Sequence, residues 1–183
     1  MTRSSTTRSR LNVPQDAARQ FLELFYPIHY QAGIGVEDAL RGADLSRHQT
    51  AILWLIHAQG TDGRQMRRKD IVAALSCWFE VSNAAITKAL RGMATPPLAL
   101  VQQTEDPNSG REKIVHLTPE GEDYLQQMII RGTAYVQRIV DGLSDEQIVK
   151  GIDFFERISE VINGWSSPHQ DAGASAKEPP ASD

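Results

Sequence analysis

Asn83, Ala84, Thr87, Lys88 and Arg91 recur at helical spacing, on the side of one segment that lies opposite Ile86 and Leu90. Their chemistry suits the edges of bases. An amide pairs with adenine, Arg and Lys pair with guanine, and an Ala or Thr methyl meets the thymine methyl. Ser82, just ahead of them, is of the type that caps a helix N-terminus. Upstream, Arg67, Arg68 and Lys69, with Arg64 before them, open or precede another predicted helix and suit contact with phosphate. Downstream, Arg111 and Lys113 follow a run of turn formers, where cations reach phosphate or a minor groove. A solvated helix face or charge run has the same composition, so the elements that hold these residues must decide.

Whole-chain charge at first argues against such chemistry. The 183 residues hold 19 Lys and Arg against 23 Asp and Glu, a net charge of −4. The charge is uneven, however. Residues 64–117 hold eight basic and five acidic side chains, net +3, whereas 1–63 hold six of each and 118–183 hold five and twelve, net −7. A basic middle beside an acidic C-terminal part is the asymmetry of one segment that meets phosphate and one that does not.

Other chemistries find little support. His29, His48, His57, His116 and His169 show no metal-ligand spacing. The chain shows no Gly-rich phosphate loop and no nucleophile elbow, and Glu120, Glu122 and Asp123 suit a helix N-terminus. Neither catalysis nor a cofactor is therefore expected. The single cysteine, Cys77, excludes an intramolecular disulfide framework and fits a reducing, cytoplasmic setting. Set among apolar residues, it reads as a small buried filler rather than an oxidant sensor. No apolar run approaches the ~20 residues of a membrane span, and the Ser/Thr/Arg-rich start does not read as a secretory signal.

The pattern along the chain is mostly helical. Pro14 suits a first helical turn, and Phe21, Leu24, Phe25 and Ile28 recur at helical spacing, with Pro27 expected to kink or end the helix. Gly33 and Gly35 are expected to loosen the chain before a short segment at 36–40. Ser46 and Gln49 form a capping box that opens a helix closed by Gly60 and Gly63. A short helix at 67–75 and another from Ser82 to about Arg91 follow. Residues 98–117 change period around Asp106-Pro107-Asn108-Ser109-Gly110, which predicts a β-hairpin. Thr118-Pro119-Glu120 opens a long helix to about Val140, and Ser144 with Gln147 opens a last one to Trp165. The fold class is therefore mainly α with a small β-hairpin wing: a winged helix-turn-helix flanked by dimerisation helices. Residues 166–183 have a composition that cannot bury a core.

Three segments together resemble the MarR family of bacterial transcription regulators: 45–53, 81–90 and 111–121. The last is the most specific, with Arg111, a short strand, then Leu117-Thr118, two residues and Gly121. The resemblance covers about 14–165. It implies a homodimer that binds a pseudo-palindromic operator on double-stranded DNA, usually as a repressor, and is often released by a small molecule or by oxidation. The expected layout is a flexible basic arm at 1–12, with Arg3, Arg8 and Arg10, and an N-terminal dimerisation helix and linker at 13–45. A winged helix domain at 46–117, C-terminal dimerisation helices at 118–165 and a disordered tail at 166–183 follow. In that layout Ser82, Asn83, Ala84, Thr87, Lys88 and Arg91 read DNA, while Arg67, Arg68, Lys69, Arg111 and Lys113 grip it.

The resemblance also implies a cleft for a small aromatic effector between the DNA-binding lobe and the dimerisation helices. By position its candidate residues are Phe21, Phe25, Tyr26, His29, Trp54 and His57, each of which also suits plain core. Three departures from the family pattern stand out. Ser109 replaces the Asp that usually helps orient the wing Arg, the turn between Leu75 and Ser82 is long, and Ala94-Thr95-Pro96-Pro97 replaces the usual exit before the wing. The competing reading is a winged-helix protein-interaction module without sequence-specific DNA binding. The basic stretch at 64–117 is a feature such a module would not need.

Overall fold

The computed structural model describes residues 14–164. The expected basic arm, the tail and Trp165 lie outside the described residues. Helix α1 (Ala17–Ile28) continues through a π-helical turn, His29–Gly33, into α2 (Ile34–Arg41). Then come α3 (Arg47–Gln59), β1 (Gln65–Arg67), α4 (Arg68–Trp78), α5 (Asn83–Ala94), β2 (Val101–Asp106) and β3 (Ser109–Leu117). Two more helices follow, α6 (Pro119–Val140) and α7 (Asp145–Asn163). The three strands form an antiparallel sheet in the order β1-β3-β2, with Met66 and Gln103 both in register with Val115. No described helix is long and apolar enough to cross a membrane.

Helix α3 lies at the centre. Ile52, Leu53, Leu55 and Ile56 are all fully buried, so this helix is covered on most of its circumference. Ile71 and Leu75 of α4, Ile86, Leu90 and Met93 of α5, Val101 and Val115 of the hairpin, and Leu125 and Met128 of α6 complete one core. Both expected capping boxes form. Ser46 accepts the Gln49 N–H while its own N–H donates to the Gln49 side chain, and Ser144 and Gln147 do the same.

The Leu-Thr-x-x-Gly segment acts as a joint between the hairpin and α6. Thr118 Oγ1 accepts the Gly121 N–H at 3.0 Å and donates to the Ala99 carbonyl at 2.8 Å. A Cβ on Gly121 would stand 1.9 Å from the Leu100 carbonyl oxygen, so only glycine lets α6 start this close to the strand. The α2–α6 crossing is also close, but against a side chain. A Cβ on Gly132 would meet Leu40 Cδ2 at 2.5 Å. Arg131 donates to the Ala39 and Leu40 carbonyls, both at 3.2 Å, which satisfies C-terminal carbonyls of α2. Tyr124 donates to the Arg41 carbonyl at 3.1 Å. Burial pushes the Tyr124 phenol above its ordinary pKa, with Arg131 pulling the other way and Asp44 adding to the rise.

Several local expectations change. Pro27 sits inside α1 without ending it, and Gly33 and Gly35 are helical, so one helical run joins α1 to α2. The run passes the missing Pro27 N–H, and a widened π turn follows at once. Strand β1 escapes sequence reading because three residues carry no legible period, and its partner β3 supplies the pairing. Helix α4 runs to Trp78, so the connection to α5 is short rather than long. Helix α5 passes Gly92 and ends at Ala94, with Met93 buried in its last turn.

Candidate nucleic-acid interface

Ser82 has extended backbone and its Oγ accepts the Ala85 N–H at 3.2 Å. That hydroxyl is occupied by the cap, so Ser82 starts the helix. Ile86, Ala89, Leu90 and Met93 point into the core and fix the rotation of α5. Asn83, Ala84, Lys88 and Arg91 are left exposed. Ala84, Lys88 and Arg91 follow i, i+4, i+7 spacing and make one uncovered stripe. Thr87 is only half-exposed. Its hydroxyl donates to the Asn83 carbonyl at 2.7 Å and accepts from Arg68 at 2.8 Å, so it bonds toward α4.

The basic run divides into bound and unbound cations. Arg64 pairs with Glu122 at 3.1 Å, and Arg67 Nε lies 3.2 Å from Asp106 Oδ2. Lys69 is exposed in the first turn of α4. Asp106 itself is buried, and its other oxygen accepts the Asn108 N–H at 2.9 Å, which closes the hairpin turn. Sequence reasoning placed Asp106 among turn formers and missed its hold on Arg67. The missing clue was β1, which carries Arg67 alongside β3.

Arg111 and Lys113 project from β3 and are exposed. Ser109, where the family pattern has Asp, begins that strand in register with Asp106. Arg68, Thr87, Arg91 and Lys113, expected as separate contacts, line one cleft between α5 and the hairpin. Among the described residues, the cations near α5 and the hairpin that make no ion pair are thus Arg68, Lys69, Lys88, Arg91, Arg111 and Lys113.

A second candidate site is a cavity of about 440 Å³ bounded by the π turn, α2, α3 and the end of α4. Its size suits a small ligand. His29 and Trp54, of the residues expected there, line it. Phe21, Phe25 and Tyr26 do not; they stand exposed on α1, and Phe21 stacks on Phe154 of α7 at 5.7 Å. His57 lines a different cleft beside Arg64 and Glu122. The larger cavity also takes Tyr30, Trp78 and Phe79, and two ion pairs, Glu37 with Arg47 at 2.7 Å and Asp38 with Arg41 at 2.8 Å. Sequence reading missed Trp78 and Phe79 because it ended α4 too early. The same extension corrects Cys77, which is exposed on the outer side of the last turn of α4, away from Ile71 and Leu75.

Residues 45–121 match the family model of a winged helix DNA-binding domain. No curated protein matches the chain. Solved structures do. A MarR family protein from Bacillus stearothermophilus aligns with a TM-score of 0.67 at 13% identity, covering 82% of this chain and 98% of that one. AbsC, a MarR family transcriptional regulator from Streptomyces coelicolor, aligns at 0.56 and 22% identity, covering 87% and 100%. BpsR from Bordetella bronchiseptica, whose DNA binding is regulated by 6-hydroxynicotinic acid, aligns at 0.54 and 19%, covering 75% and 98%. Residues 45–121 thus match a winged helix DNA-binding domain, in a chain that shares the fold of solved MarR family structures.

Proposed function

We propose that the chain is a homodimeric transcriptional regulator, acting as a repressor, that reads a pseudo-palindromic operator with α5 and grips it with the hairpin wing. The observation that carries this reading is the exposed Asn83, Ala84 and Lys88 of α5 beside the exposed cations Arg91, Arg111 and Lys113, in a segment that matches a DNA-binding domain. In a dimer two such helices enter successive major grooves, and the half-site spacing follows the two-fold axis.

Dimerisation is supported by what α1 and α7 leave open. No described residue of either helix is buried, and Leu24, Phe25, Val149 and Phe155 are all more than 60% exposed. A monomer rarely exposes an apolar face of this extent. Residues 13–45 and 118–165 are accordingly the dimerisation segments, and 46–117 the DNA-binding segment.

The aromatic-walled cavity supports a small aromatic effector, in line with the regulation of BpsR by 6-hydroxynicotinic acid. Such a ligand acts by favouring one spacing of the two reading helices over another; equal affinity for both would shift nothing. The test is a titration of the purified protein against its gene's own upstream region. Specific binding to an inverted repeat, weakened by Lys88→Ala in a protein that still folds, is the expected result. Lys88→Ala binding with unchanged affinity would contradict the assignment of α5 as the reader.

A further inference from the structure

Arg68 on α4, Arg91 on α5 and Lys113 on β3 line one cleft of about 250 Å³ between the helix and the hairpin. Thr87, Leu90, Ala94 and Gln103 complete its lining, so no lining residue carries a carboxylate. Glu105 faces Lys113 in strand register but does not line the cleft. Among the described residues none of these three cations is ion-paired, whereas neighbouring Arg64 and Arg67 both are. Like charges brought together repel. The fold nonetheless holds Arg68 in place through the Thr87 hydroxyl at 2.8 Å. An arrangement that is unfavourable in the empty protein becomes favourable when an oxyanion enters it.

We propose that this cleft is the seat of one phosphoryl group, the backbone phosphate of the DNA strand that passes between α5 and the hairpin. The assignment rests on the DNA-binding reading above. Guanidinium forks match phosphate oxygens in pairs, Lys113 adds a point charge, and the Gln103 amide is a neutral donor. The consequence concerns specificity. Arg91 and Thr87 have side chains suited to base edges, yet here they serve the backbone and carry no sequence information. Discrimination falls to Asn83, Ala84 and Lys88.

The test uses the full chain in two arms. In the first, Arg91→Gln, Lys113→Gln and the double variant are titrated against two duplexes of unrelated sequence. Each single substitution is expected to weaken both duplexes by the same factor and to lower the salt slope by up to about 1. The double variant departs from the product of the singles by at least about twofold, because both cations act on one phosphate. In the second arm, inorganic phosphate is compared with chloride at matched ionic strength for its effect on the melting temperature of DNA-free protein. Coupling in the first arm assigns the backbone phosphate. Phosphate stabilisation lost in Arg91→Gln, without coupling on DNA, keeps the seat and makes a free phosphoryl anion its occupant. Independent losses on DNA together with no phosphate effect overturn the seat. If the unaltered protein binds neither duplex, the regulator reading fails by itself and the phosphate arm alone decides the seat. Both substituted side chains are exposed, and circular dichroism checks that the variants fold.

Discussion

Arg67 Nε lies 3.2 Å from the carboxylate of Asp106, whose side chain is only 3% exposed, and this contact ties the hairpin turn to the strand that leads into α4. Arg67 is half-exposed, so solvent screens its side of the pair. The buried carboxylate carries the larger stake, because it also accepts the Asn108 N–H. Asp106→Ala is expected to destabilise the protein by about 1–3 kcal/mol in urea unfolding. Asp106→Asn should cost less, since its amide oxygen still accepts from Asn108. Equal stability of Asp106→Ala and the unaltered protein would show that the contact does not anchor the wing.

Gly121 and Gly132, both on α6, should respond differently to the same substitution. At Gly121 an added Cβ meets the Leu100 backbone oxygen, which cannot move without shifting β2 against α6. At Gly132 it meets the end of the Leu40 side chain, which can change rotamer. Gly121→Ala is expected to cost more than about 2 kcal/mol. Gly132→Ala should stay within about 1 kcal/mol, because alanine's helix propensity offsets the repacking. Thermal melts of both variants decide; comparable losses at the two positions would refute the distinction.

These relationships show where the sequence was legible. Capping residues and apolar stripes mark α3, α6 and α7 because a cap and a helical period are local signals, and Ser46, Thr118 and Ser144 each cap as their types suggest. The α1–α2 run was not legible. Pro27, Gly33 and Gly35 are individually poor helix residues, and the continuous helix exists because α2 packs on α6 through Leu40 and Arg131. The Arg67–Asp106 and Arg68–Thr87 contacts join residues far apart in the chain, so no spacing rule reveals them. For the same reason residue type alone suggested that Thr87 points outward, and the fold turns its hydroxyl to α4.

The apolar surface of α1 and α7 predicts the assembly state. Phe155 is 68% exposed and touches little of its own chain's core. A charge there should be harmless to a monomer and disruptive to a dimer. Analytical ultracentrifugation is expected to give twice the 20.3 kDa chain mass for the unaltered protein and a monomer for Phe155→Glu. A monomeric unaltered protein at micromolar concentration would remove the dimer from the account.

Trp54 stands on the wall shared by the 440 Å³ cavity and an apolar groove between α2 and α6. On the effector reading proposed above, binding of a small aromatic ligand should change tryptophan fluorescence and weaken DNA binding. In Trp54→Ala both responses should be lost while DNA binding in the absence of ligand persists. A ligand whose effect on DNA binding survives Trp54→Ala acts somewhere else.

The cations of α4, α5 and the hairpin are expected to meet DNA despite the chain's net charge of −4. Fluorescence anisotropy of the full-length protein on a labelled duplex, between about 50 and about 200 mM salt, measures this most directly. Log affinity should fall linearly with log salt, with a slope steeper than about −3 and shallower for Lys113→Gln. A flat dependence, or no binding at the low-salt end, would contradict this expectation and leave the winged helix as a scaffold for a protein partner.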